Sequence, residues 1–135
     1  MFKKIHVFRV KPKTELLGEI VAYCRKHNIT SGIVLGIIGS LEKATLNFVQ
    51  ELPARFDAVD YNGPLEIVCA QGSVALKDRE LIVHIHMQIS SKEISRGGHL
   101  AGATIMSTAE VVIGELDHQV RREFDSYTGL NELCA

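Results

Sequence analysis

Ten consecutive residues, Leu81 to Ser90, limit the fold more than any other stretch of the chain. The odd positions, Leu81, Val83, Ile85, Met87 and Ile89, are all apolar, while the even ones are Ile82, His84, His86, Gln88 and Ser90. Side chains alternate across a strand, so a period of two predicts a β-strand with one face on a core. The neighbouring segments continue in the same idiom. Lys43 to Val49 alternates, with Ala44, Leu46 and Phe48 on one side. Ile33 to Ile38 is an apolar run punctuated by Gly32, Gly36 and Gly39, and further strands are predicted at Leu65–Ala70, Ser73–Leu76 and Ala109–Gly114. Residues 51–63 read as a loop ending in the turn signal Asn62-Gly63-Pro64, and the segment from Asp117 reads as a polar tail.

One segment has the other period. Pro12 ends a first strand, His6 to Val10, and Thr14 is a suitable helix N-cap with Glu15 in the first turn. Leu17, Ile20, Val21 and Cys24 follow at helical spacing, and Leu16 widens the stripe. Arg25, Lys26 and His27 suit the negative end of the helix dipole, and Asn28 can take the left-handed stop. The expectation is one main helix over about residues 14–28 flanking a largely antiparallel sheet, an α+β fold. At 135 residues, without a repeat or linker tract, the chain is expected to be one domain, 1–135.

Composition trims the list of functions. Fifteen Lys and Arg against sixteen Asp and Glu give a net charge of -1, without the basic excess of a protein that holds DNA by neutralising phosphates. No Trp and only three Tyr and five Phe leave few platforms for stacking bases. No apolar run approaches the roughly 20 residues of a membrane helix, and Met1-Phe2-Lys3-Lys4 does not open a signal peptide. Cys24, Cys69 and Cys134 are odd in number and without a C-x-x-C, which suits buried thiols in a reducing, cytoplasmic setting.

The chemistry sits on the informative strand. His84 and His86, two residues apart, project from one face, and two imidazoles so placed can share a metal ion. A third donor is available from His99, in the nearby segment Arg96-Gly97-Gly98-His99-Leu100, read here as a loop whose glycines let the backbone turn and approach closely. Three neutral imidazoles suit zinc, nickel, copper or iron and leave a coordination position for water, an anion or a substrate. By spacing alone, a His-x-His on a strand's polar face is more often plain solvent-exposed histidine.

Longer motifs add to this. Leu81-Ile82-Val83-His84-Ile85-His86-Met87 followed by Gly97-Gly98-His99-Leu100-Ala101-Gly102 resembles the signature of the plants-and-prokaryotes-conserved (PPC) domain. Ile38-Gly39-Ser40-Leu41 with Ala44 and Leu46, and Gly63-Pro64-Leu65-Glu66-Ile67-Val68-Cys69-Ala70-Gln71-Gly72, resemble two further stretches of that family, so the likeness runs from about Val7 to Glu115. The resemblance implies a PPC-like homotrimer in which His84, His86 and His99 hold a divalent metal, zinc first among them, with room for a small anionic or polar ligand. Plant members join this domain to AT-hooks that grip DNA. Here no Arg-Gly-Arg-Pro core is present and Pro64 stands where the family commonly has Arg, which argues against inherited DNA binding.

Three functions follow in order: a small metal-binding protein acting through partners, a metal-dependent hydrolase or lyase, and a DNA-associated protein. The second needs a general base, for which Glu42, Glu66 and Glu110 are candidates by type alone. Gly32, Gly36 and Gly39 lack the spacing of a phosphate loop and read as close backbone packing, and Ser40 is not in a nucleophile elbow. Cys24 and Cys69 read as buried, inert thiols. The acid-free, basic run from Lys3 to Lys13 reads as a lysine-protected edge strand, and His118-Gln119-Val120-Arg121-Arg122 as a solvated tail or subunit contact.

Overall fold

A computed structural model describes residues 1–134. It contains β1 (Phe2–Val10), α1 (Leu16–Lys26), β2 (Gly32–Glu51), β3 (Arg55–Lys77), β4 (Glu80–Ser90), β5 (Ser95–Leu116), β6 (Arg121–Asp125) and β7 (Leu130–Cys134). The strands form one sheet in the order β1-β5-β2-β3-β6-β7, and β4 pairs with both β3 and β5. β2, β3, β4 and β5 therefore pair in a closed circuit, every step of it antiparallel. Among the described residues, the one parallel contact is the brief meeting of β3 and β6 at Leu76 and Arg121. The α+β, largely antiparallel expectation holds, and β1 is an edge strand as its lysines imply.

The core draws on all four circuit strands and the helix. Leu46, Leu65, Ile85, Ile89, Leu100 and Ile105 are fully buried with Leu16, Ile20 and Cys24 of α1. The helix spans less than expected because its first turn is committed elsewhere. The Thr14 hydroxyl donates to the Lys11 carbonyl, and Thr14's own carbonyl accepts from Ile105 N. The cap is Glu15, whose carboxylate accepts from Leu17 N and Gly18 N and also from Ala103 N on β5. At the far end the helix stops at Lys26 and His27, expected in the last turn, is the cap, while Asn28 takes the expected left-handed conformation at φ 55°.

Three readings need correction. The expected loop at 51–63 is mostly the far part of a β2–β3 hairpin, with Lys43 to Glu51 paired to Asn62 to Arg55. Arg55 to Asp60 are all exposed, so no alternation betrays the strand. Gly63 and Pro64 fall in a bulge between the Leu41–Leu65 and Lys43–Asn62 pairs, where a residue without N–H costs the ladder nothing. Glycine-rich 95–108, of which only the continuation at Ala109–Gly114 was expected as strand, belongs to β5 throughout. The stretch after Asp117, expected as a tail, folds back as the β6–β7 hairpin, with Val120 and Arg122 buried.

Candidate metal centre

The histidines meet because of register. His86 and His99 are directly opposed across the β4–β5 ladder, and His84 lies two residues further along β4 on the same face. At this point β5 changes partner: Arg96 to His99 pair with β4, while His99 to Gly102 lie along Asn47 to Thr45 of β2. Ring centroids are 5.1 Å apart for His84–His86, 4.8 Å for His84–His99 and 5.6 Å for His86–His99. One ligating atom from each residue lies within 4.8 Å of the others. His84 and His99 are half-buried and His86 is exposed, so the group opens to solvent on one side.

His99 is thus on a strand, not in the expected loop, and the glycines before it serve a different end. Neither has a positive φ. A Cβ on Gly98 would stand 3.1 Å from the Phe48 ring, and one on Gly97 would collide with the Gln88 side chain. Their absence of side chain lets β5 cross from β4 to β2 at close range. The same holds nearby at Gly72, where a Cβ would strike the backbone of β4 at His84.

Electrostatics favour the neutral form of His84 and His99. Burial first, then His99, Arg122 and His86, pull the His84 pKa down from 6.5 to about 4. His99 is lowered by burial, then by His86 and Arg122. Uncharged rings retain the lone pairs that a cation needs. Three nitrogen donors at this mutual distance, open on one side, fit a divalent metal with a free position. Among the described residues no carboxylate joins the group.

Arg122 is a close neighbour of the histidines that sequence reading missed. It belongs to β6, is 7% exposed, and bonds through Nη1 to the Asn131 carbonyl (2.8 Å) and through Nη2 to Ser73 Oγ (2.8 Å). Nη2 also stands 3.2 Å from His84 Nδ1, and Nε has no partner. The signal available in sequence was thin: Val120, just before β6, and Arg122 within it are buried two residues apart between exposed neighbours.

The other candidates are dispersed. Glu42 pairs with Lys13, Glu66 is exposed opposite Ser90, and Glu110 is exposed opposite Arg9. Cys24 is buried as expected, but Cys69 is exposed: a register shift between Ile67 and Cys69 turns its side chain away from the Leu65 and Ile67 side. Gly39 does pack tightly, against Thr108 and Ala109, whereas a Cβ on Gly36 would meet nothing within 4 Å. No helix is long and apolar enough to cross a membrane.

The fold is shared with solved proteins. The chain superposes with TM-score 0.90 on a metal-containing protein from Archaeoglobus fulgidus, at 23% identity over 100% of this chain and 96% of that one. A plant- and prokaryote-conserved protein from Pyrococcus horikoshii gives 0.87 at 26% identity, covering 97% and 91%. A Bacteroides thetaiotaomicron protein, provisionally described as DNA-binding, gives 0.90 at 22%, covering 99% and 96%. In sequence, the chain is 30% identical to the bifunctional protein GlmU of a Synechococcus strain over 96% of its own length, yet it spans only 20% of that relative. The family model described as the Plants and Prokaryotes Conserved (PCC) domain matches residues 1–117, and the chain belongs to that family.

Proposed function

We propose that this protein is a metal-binding module in which His84, His86 and His99 hold one divalent cation, zinc before other metals, and leave a position open to a ligand. The observation that carries the reading is the convergence of three imidazoles within 4.8 Å. Nitrogen-only donors suit zinc, and a zinc ion held there would supply Lewis acidity at the open position. The metal-containing relative from Archaeoglobus fulgidus supports the same reading. Without a carboxylate at the group, binding and partner recruitment fit better than hydrolysis, which requires a base.

The reading includes a homotrimer, as the family resemblance implies. Its support in this chain is the outward apolar side chains of Ile5 and Val7 on β1 and Ile38 on β2, the last two 69% exposed. The test is metal analysis of protein purified without a histidine tag, alongside light scattering for mass. One zinc per chain in the wild type, and loss of most of it in His84→Ala, is the expected result. Metal content that is low and indifferent to His84→Ala refutes the reading.

A further inference from the structure

We propose that Arg122 makes the three-histidine group a site for a small oxyanion, a carboxylate or phosphate, with the guanidinium as its protein anchor. This rests on the reading that the histidines hold a divalent cation, and it names the class of ligand that joins it.

The argument begins with hydrogen-bond arithmetic at His84. A neutral imidazole has one N–H and one lone pair. While Nδ1 accepts from Arg122 Nη2 at 3.2 Å, the proton resides on Nε2 and no lone pair is left for a metal. A cation on Nδ1 takes that lone pair from Arg122. A cation on Nε2 sends the proton to Nδ1, where it faces the N–H of Nη2. Either way, a metal on His84 ends the bond to Arg122.

Arg122 then has an Nη2 N–H that has lost His84, beside an Nε–H that has no partner at the outset. The remaining bonds, to Ser73 Oγ and the Asn131 carbonyl, hold the guanidinium where it is. A buried donor without an acceptor is costly, and more so when it is charged.

Charge points the same way. A divalent cation with three neutral imidazoles, beside a guanidinium, gathers three positive charges on the edge of the core. Glu132 acts on Arg122 from β7, but among the described residues no carboxylate joins the histidines. Water could satisfy a donor and leave the charge untouched. An oxyanion meets both demands, and a planar guanidinium is suited to a bidentate carboxylate or phosphate. Arg122 lies beyond residues 1–117, so this anchor is contributed by the part of the chain that the family model does not match.

The experiment loads the full chain with Co²⁺, whose visible bands report its ligand set, and titrates inorganic phosphate and sodium acetate in separate arms. In parallel, the zinc form labelled with ¹⁵N is titrated while the Arg122 Nε–H signal is followed. The expected result is saturable change in the cobalt bands with one or both anions, movement of the Nε–H signal, and unchanged metal stoichiometry in Arg122→Gln with at least tenfold weaker anion binding. The arm that binds more tightly separates phosphate from carboxylate. Arg122→Lys, which keeps the charge, is expected to weaken the anion severalfold, and with the wild-type signal it decides the matter if Arg122→Gln does not fold. Bands that ignore both anions, an unmoved Nε–H signal, or equal anion affinity in a folded variant overturns the proposal while leaving the metal reading intact. Failure of the wild type to take up metal overturns both.

Discussion

Gly72→Ala tests whether the sheet register is what builds the candidate metal centre. Gly72 is paired with Ile85 and lies beside the Ser73–His84 pair. A Cβ there would stand 3.0 Å from both His84 C and Ile85 Cα, and closer still to the His84 carbonyl oxygen. The obstacle is backbone, so no rotamer change relieves it. Carbon atoms settle at about 3.5–4.0 Å, which requires β3 and β4 to part by about 1 Å at this point. Overpacking of this kind costs about 1–3 kcal/mol. A metal site tolerates ligand displacements of only about 0.2 Å, so His84 and His86 moving by several times that against His99 should cost zinc about 100-fold in affinity. Two controls separate the causes. Gly39→Ala collides with Thr108 and Ala109 instead, and should lose comparable stability while keeping zinc affinity within a few-fold. Gly36→Ala meets nothing within 4 Å and should be neutral, or stabilised by about 0.5 kcal/mol through the unfolded chain. Urea unfolding of the metal-free proteins and zinc titration against a competing chelator give the two numbers. A Gly72→Ala protein as stable as the wild type and equally avid for zinc refutes the reasoning.

Three further outcomes follow from single contacts. The Glu115 pKa is lowered, chiefly by its bond to His6 (2.9 Å) and then by Lys3 (3.1 Å), so the unfolded state binds more protons than the folded state between the two pKa values. Its stabilisation is complete above the unfolded carboxyl's value near 4.3 and is lost as pH falls through the folded one, so Glu115→Gln should flatten the acid limb of a stability–pH curve. Native-state alkylation should label Cys69 readily and spare Cys24, which is buried with its pKa pushed up to about 11, until the chain unfolds; mass spectrometry of the labelled peptides reads both. Leu46→Ala, in a fully buried position, should cost about 2–5 kcal/mol by urea unfolding, and a loss below 1 kcal/mol would contradict its place in the core.

What the sequence made legible depended on whether a residue's face was half-buried. Leu81 to Ser90 declared itself because its odd side chains enter the core and its even ones do not, and this is also why His84 and His86 could be paired from text alone. Arg55 to Asp60 are equally extended but exposed on both faces, so the same period leaves no trace. Ser95 to Thr108 fails for a second reason: Gly97 and Gly98 look like turn residues until the neighbouring Phe48 and Gln88 are known to need the space. The same limit hid Arg122. Alternation can place a charged residue on an inner face, but an arginine in a polar segment carries no sign of which buried acceptor awaits it. Ser73 and Asn131 supply two acceptors, one 49 residues before it in the chain and the other 9 residues after. The histidine triad is therefore readable as a local pattern, and the group beside it becomes visible only through tertiary contact. Residues that set the triad's ligand are expected to come from segments whose sequence looks least structured.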